Sequence, residues 1–334
     1  MFTGRPKGKG ENGMKRWISM GVSGAILLLI YWRIDAAGLV QVLRECDRPW
    51  MIGSLAMVVP ITLMTAWRLQ QLMPRPAQTG GAGLSFGEAN RLILAASSLN
   101  MILPSKMGDI AKAYFMRDRG HLSGALSLSL VVFEKACDML SLLLWCALGL
   151  LLYPQRDWLF TVMTLSVATG LGLGLLLLAW PRFAQSGFAL AHRIAPKSLK
   201  LKLSQLSHSW QDMHDYFWSD RPRLITIILT SIFIWFLHLF QIWGFILALN
   251  AWAPFLANLA LSPLAILAGL LPLTFAGIGT RDAALIVFYQ PYFDAPTAAA
   301  LGLLCTSRYL LPAIGGLPFL GQYLTLAQRA KSQG

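Results

Sequence analysis

The sequence predicts an all-α, polytopic integral membrane helical bundle, and three observations lead there. Hydrophobic residues make up 56% of the 334 residues and charged residues 13%, about half the ~25% charged share of soluble domains. Uncharged apolar runs recur, each near the ~20 residues needed to cross a hydrocarbon core of about 30 Å. Cations collect between some of those runs and not between others, as in chains that obey the positive-inside rule. The net charge of +13 is therefore assigned to a cytoplasmic face and anionic headgroups, and no nucleic-acid partner is expected.

The elements follow in order. Residues 1–16 form a basic tail with Arg5, Lys7, Lys9, Lys15 and Arg16, expected to be disordered and cytoplasmic. The first span covers 17–32. No small-residue cleavage site follows it, so it reads as a retained span and not as a signal peptide. Segment 33–48 balances Arg33, Arg44 and Arg48 against Asp35, Glu45 and Asp47, which suits an external connection with an interfacial helix. A second span at 49–67 leads through Arg68 into a Pro/Gly-rich loop at 74–83. "SFGE" at 85–88 matches a helix-starting capping box. The apolar stretch 122–153 is about 48 Å long if helical, so it tilts or starts among the headgroups. Further spans are expected at 158–180, 224–249 and 297–320. Between them, 181–222 reads as a cytoplasmic interfacial helix anchored by Trp210, Phe217 and Trp218. Residues 17–325 thus make one transmembrane domain, followed by a basic tail at 326–334. Both termini are expected on the cytoplasmic side of a bacterial inner membrane.

Two apolar segments, 84–103 and 255–276, are broken by Pro or Gly, which makes the number of spans six to eight. Each runs into a proline, then glycine, then an acidic residue beside a cation. The first supplies Asn100, Pro104, Lys106, Gly108, Asp109 and Lys112; the second supplies Pro272, Gly277, Gly279, Arg281 and Asp282. Interrupted segments at matching places in two halves point to a transporter binding site and an inverted repeat. Irregular backbone at membrane depth is tolerated where protein buries it or where it lines a cavity. Two ordinary surface loops are the alternative.

"VVFEKACDML" at 131–140 places Glu134, Lys135 and Asp138 inside an apolar run. Glu134 and Asp138 are four apart and share a helix face. An acidic residue at mid-bilayer costs about 2.5–3.5 kcal/mol on insertion scales, so these groups need a partner or a wet cavity. Arg281 and Arg308 are the candidate partners. The arrangement is either a polar site for a headgroup or proton, or a salt bridge fixing helix packing. Cys46, Cys137, Cys146 and Cys305 show no metal spacing and behave as small hydrophobes. The five histidines are scattered; His238, in an apolar span, is expected to be packed and hydrogen-bonded. No P-loop or G-x-S-x-G occurs. No metal, no cofactor and no enzymatic activity are expected.

Taken together, Asn100 with "LPSKMGDIAKAYFM", "FEKACDML", "LPLTFAGIGTRDAAL" and Arg308 resemble the ordered motifs of one family. It is the flippase-like membrane region of lysylphosphatidylglycerol synthases and their stand-alone relatives. Lys112 and Lys135 stand where that family usually has Arg, and Asp282 where it has Glu; charge is kept but bidentate arginine geometry is not. The aminoacyltransferase domain of bifunctional members has no counterpart in these residues, so lysyl transfer is not expected of them. The resemblance implies a secondary transporter that flips a polar or isoprenoid-type lipid. Lys106, Lys112 and Arg281 would receive the headgroup. Asn100, Asp109 and Asp282 would orient those cations or bind the lipid's hydroxyls or amines, beside Glu134, Lys135, Asp138 and Arg308. Pro104 would end the entering segment, and Gly108, Gly277 and Gly279 would let the backbone approach. The alternatives are a membrane enzyme using Asp109, Glu134 and Asp138 as acid and base, or a non-catalytic partner of a lipid-pathway enzyme, such as one for hopanoids.

Overall fold

The computed structural model describes residues 36–73, 84–102, 107–120, 122, 124–152, 158–270 and 279–321. The expected first span, both tails, Pro104, Lys106, Pro272 and Gly277 lie outside them. All regular structure among the described residues is helical. The helices are α1 (Ala36–Arg44), α2 (Arg48–Ala56), α3 (Val58–Leu72), α4 (Phe86–Ile102) and α5 (Met107–Gly120). Then come α6 (Gly124–Leu152), α7 (Trp158–Ala179), α8 (Pro181–Ile194), α9 (Lys197–Trp218) and α10 (Arg221–Ala248). The last are α11 (Phe255–Gly269), α12 (Thr280–Tyr289) and α13 (Ala295–Gly316), with a 3-10 turn at Leu317–Phe319.

Five stretches are long and apolar enough to cross a membrane: Arg48–Leu72, Leu126–Leu152, Phe160–Ala179, Arg221–Ala248 and Ala295–Phe319. They coincide with five of the six expected spans, and the sixth lies at 17–32. The first of them is interrupted at Met57, between α2 and α3. Pro60 explains the break, because its missing N–H leaves the Ala56 carbonyl without its helical donor. Both broken segments become helix pairs, α4 with α5 and α11 with α12, each packed along the other. At 1.5 Å per residue α4 and α11 reach about 26 and 23 Å, less than the core of a bilayer.

Gly108, Asp109 and Lys112 lie within α5 and not in a surface loop, with Asp109 in the helix's first turn. An acid there meets the positive end of the helix dipole. Segment 181–222 is not one helix but two and the start of α10, divided at Ala195 and Pro196. Ala195 is extended, the conformation that a following proline imposes.

The chain forms two compact units. Of the described residues, the first takes those up to Leu55 and those within Trp145–Met163 and Leu239–Ser307. Its α10 segment carries Trp243, whose ring meets Trp50, Phe255 and Trp252 at centroid distances of 6.2, 5.3 and 6.5 Å. The indole N–H donates to the Ala253 carbonyl at 3.1 Å. A buried amide ties α11 to α10: Asn258 Nδ2 donates to the Leu239 carbonyl at 2.8 Å.

The second unit takes the described residues within Ala56–Leu144 and Thr164–His238 and those from Arg308 to Gly321. Its core gathers Ala66, Leu69 and Leu72 of α3, Ala89 and Leu92 of α4, Met116 of α5, and Leu130 and Phe133 of α6. Phe217 of α9 stacks on Phe133 with centroids 4.2 Å apart. Phe217 is thus fully buried and is no interfacial anchor. Arg223 donates from Nε to the Gln71 carbonyl at 2.5 Å and from Nη2 to the Met73 carbonyl, capping the end of α3. The capping box at 85–88 forms as expected: Ser85 N–H donates to Glu88 Oε2 at 3.2 Å, and Glu88 N–H to Ser85 Oγ at 3.3 Å.

Gly108 lets α5 approach α4 closely, since a Cβ there would overlap the Ala96 carbonyl. Its N–H donates to Asn100 Oδ1 at 2.9 Å. Gly108→Ala is therefore expected to separate the pair and cost about 1–3 kcal/mol, read as a lower unfolding midpoint in detergent. An unchanged midpoint would show the contact to be loose.

Candidate functional site

In the second unit, α3, α5, α6 and α10 bring a charged network together inside an apolar surround. Arg68 on α3 is its centre. Its Nη2 donates to Glu134 Oε1 at 2.9 Å and to Asp138 Oδ2 at 3.2 Å. Its Nη1 donates to Asp138 Oδ1 and, at 2.8 Å, to Ser231 Oγ on α10. Lys112 on α5 closes the other side, with Nζ 2.5 Å from Glu134 Oε2. A second pair, Lys135 Nζ with Asp109 Oδ1, stands at 3.3 Å. Three cations thus face three carboxylates, and their formal charges cancel.

Burial within the network is graded. Side-chain exposure is 1% for Glu134, 2% for Arg68 and 3% for Lys112, but 26% for Asp138 and 46% for Lys135. Breaking a buried pair leaves an uncompensated charge and typically costs about 3–5 kcal/mol. The inner pairs therefore lock α3, α5 and α6, while Asp138 and Lys135 keep access to whatever borders them. The i, i+4 spacing of Glu134 and Asp138 is what lets one guanidinium bridge both.

Arg68 is the residue that sequence reasoning missed. Glu134 and Asp138 take it as partner, where Arg281 and Arg308 were expected. It was legible as a cation ending an apolar run, which reads as a membrane-boundary charge. Arg308 is buried and lies over the Tyr309 ring at 5.8 Å. Its Nε has no hydrogen-bond partner among the described residues, and the same holds for Nδ1 of His238.

The other expected group lies in the first unit, around the start of α12. Gly279 precedes the helix at φ 103°, a conformation that glycine reaches without strain. Its N–H donates to Asp282 Oδ2 at 3.0 Å. Arg281 holds the other carboxylate oxygen of Asp282, from Nε at 3.0 Å and Nη2 at 2.7 Å. Nη2 also donates to the Gly302 carbonyl and Thr306 Oγ1 on α13, both at 2.9 Å. Gly302 makes room: a Cβ there would stand 2.7 Å from Asp282 Oδ1. Deeper along the same helix pair, Asn258 Oδ1 accepts from Ser262 Oγ at 2.9 Å and from Tyr289 Oη at 3.0 Å. These buried polar groups satisfy one another.

Asn100, Gly108, Asp109, Lys112, Glu134, Lys135 and Asp138 therefore belong to one unit and Gly279, Arg281 and Asp282 to the other. Among the described residues no cluster of three or more His, Cys, Asp or Glu is arranged to hold a metal ion.

Residues 16–316 match the family described as the lysylphosphatidylglycerol synthase TM region. The chain belongs to that family. It is a multi-pass membrane protein related to lipid biosynthesis or translocation. A search of curated proteins finds no match. Within the family frame, α4–α5 and α6 carry the first two motifs read from the sequence, and α12 and α13 carry the last two.

Proposed function

We propose that the chain moves a polar lipid between the leaflets of a bacterial inner membrane without changing it covalently. The charged network of Arg68, Lys112, Glu134, Asp138, Lys135 and Asp109 carries the reading. Ionisable groups in apolar membrane bundles are costly, and they tend to mark substrate or proton pathways. Here the inner pairs are dry and the outer groups accessible, which is the gradient a headgroup site needs. An anionic phosphate would draw Lys135 from Asp109, and a headgroup amine or hydroxyl would meet Asp138. The original pairs would re-form behind the departing lipid. The Arg281–Asp282 pair offers a second charged station of the same chemistry. The distribution of cations favours cytoplasmic termini.

The test is transbilayer movement of phosphatidylglycerol bearing a fluorescent headgroup, in proteoliposomes of the full chain. Asp109→Asn is expected to bring movement down to the protein-free rate while the unfolding midpoint stays near that of the wild type; Asp138→Asn should do the same to movement with a lower midpoint, because it takes one of two counter-charges from buried Arg68. Unchanged movement would remove the site. Lipid of altered mass after incubation would replace transport with chemistry.

A further inference from the structure

Beside the charged network lies a cavity of about 240 Å³, walled by α6, α7, α9 and α10. Its deep wall is Phe133, Cys137 and Ser141, all buried. Trp218 and Ile232 close two further sides, while Leu144 and Leu175, both exposed, stand at its rim. The lining is almost wholly hydrocarbon. An apolar cavity of about 150 Å³ stays dry and takes benzene, so this one has room for a longer hydrocarbon piece but not for a whole lipid.

Its position says more than its size. Phe133 precedes Glu134, Cys137 precedes Asp138, and Ile232 follows Ser231. At three points, on two helices, the apolar wall and the ion network are neighbouring residues. The pair of sites thus matches a molecule with a charged end and a hydrocarbon end. The rim opens along α7, whose membrane-spanning window is only 6% buried. That helix stays close to α6 through Gly170 and Gly174, which face Leu143 and Leu140. A chain from surrounding lipid would pass the rim at Leu144 and Leu175 without crossing a charged residue.

We propose that this cavity takes one hydrocarbon chain of the lipid whose headgroup meets Asp138 and Lys135. The inference rests on the lipid-transport reading for the ligand's identity and adds where its tail is held. The volume leaves the second chain of a two-chain lipid outside.

The experiment uses the full chain in vesicles of phosphatidylglycerol carrying a photoactivatable diazirine midway along one acyl chain. Adducts are mapped by mass spectrometry. Labelling of Phe133, Cys137 or Ser141 is expected, and Leu175→Trp at the exposed rim should lower it by about an order of magnitude, or ~1.4 kcal/mol. Adducts confined to the outward residues Leu165, Leu173 and Leu177 would overturn the proposal, as would deep labelling that a folded Leu175→Trp leaves unchanged. Should Leu175→Trp not fold, Leu144→Trp repeats the block from the other side of the rim. Because labelling reads binding, the two ideas separate. Deep adducts without lipid movement retain the tail site and reject transport, and movement without deep adducts does the reverse.

Discussion

Glu134→Ala is expected to lower the stability of the protein in detergent by about 3–5 kcal/mol. The carboxylate is the shared partner of two buried cations, accepting from Arg68 on one oxygen and Lys112 on the other. Alanine leaves Lys112 buried with its closest counter-charge gone. The loss should appear in chemical or thermal unfolding before any assay of lipid movement. Lys112→Met together with Glu134→Gln removes the stranded cation and keeps an acceptor for Arg68, so it should recover most of the stability. Lipid movement should not recover with it if the carboxylate acts in transport. A single-variant loss below about 1 kcal/mol would mean that the pair behaves as a solvated surface bridge.

Asp282→Ala should be nearly as damaging, by about 3–5 kcal/mol, for a different combination of reasons. It strips Arg281 of its counter-ion and also removes the acceptor for the Gly279 N–H at the start of α12. Asp282→Asn retains an acceptor at the helix start and should give back about 1 kcal/mol, the usual worth of such a cap. Unfolding midpoints of the two variants measured side by side separate the charge from the cap. Equal losses would show that the cap contributes nothing.

Length and hydropathy were enough for the long helices, because a bilayer imposes one local rule on every span. The capping box at 85–88 was legible for the same reason: both partners lie within one turn. What sequence reading missed is non-local. Arg68 and Glu134 are 66 positions apart, and composition gives the cost of a buried charge without naming its partner. Phe217 beside Trp218 fits a headgroup anchor as well as it fits a core, and only its stacking on Phe133 decides. The division of 181–222 was available in principle from Pro196, whose effect on Ala195 is local. Gly108 was legible as a point of close backbone approach, but its neighbour was not: the Ala96 carbonyl on the paired helix is the tertiary reason that glycine stands there. Of the candidate site, the acidic residues were legible and their cations only in part.

The 66-residue separation also bears on how the protein is made. Chains emerge at about 5–20 residues per second, so the guanidinium of Arg68 exists for roughly 3–13 s before Glu134 has been synthesised. During that interval the helix bearing it cannot settle in lipid as it does in the finished protein. It must wait near water, at the headgroups or in the insertion machinery. The ion pairs in which Arg68 is buried therefore cannot form before α6 has been made. A ribosome stalled before residue 134 would hold an intermediate whose second apolar segment still gives its arginine to water.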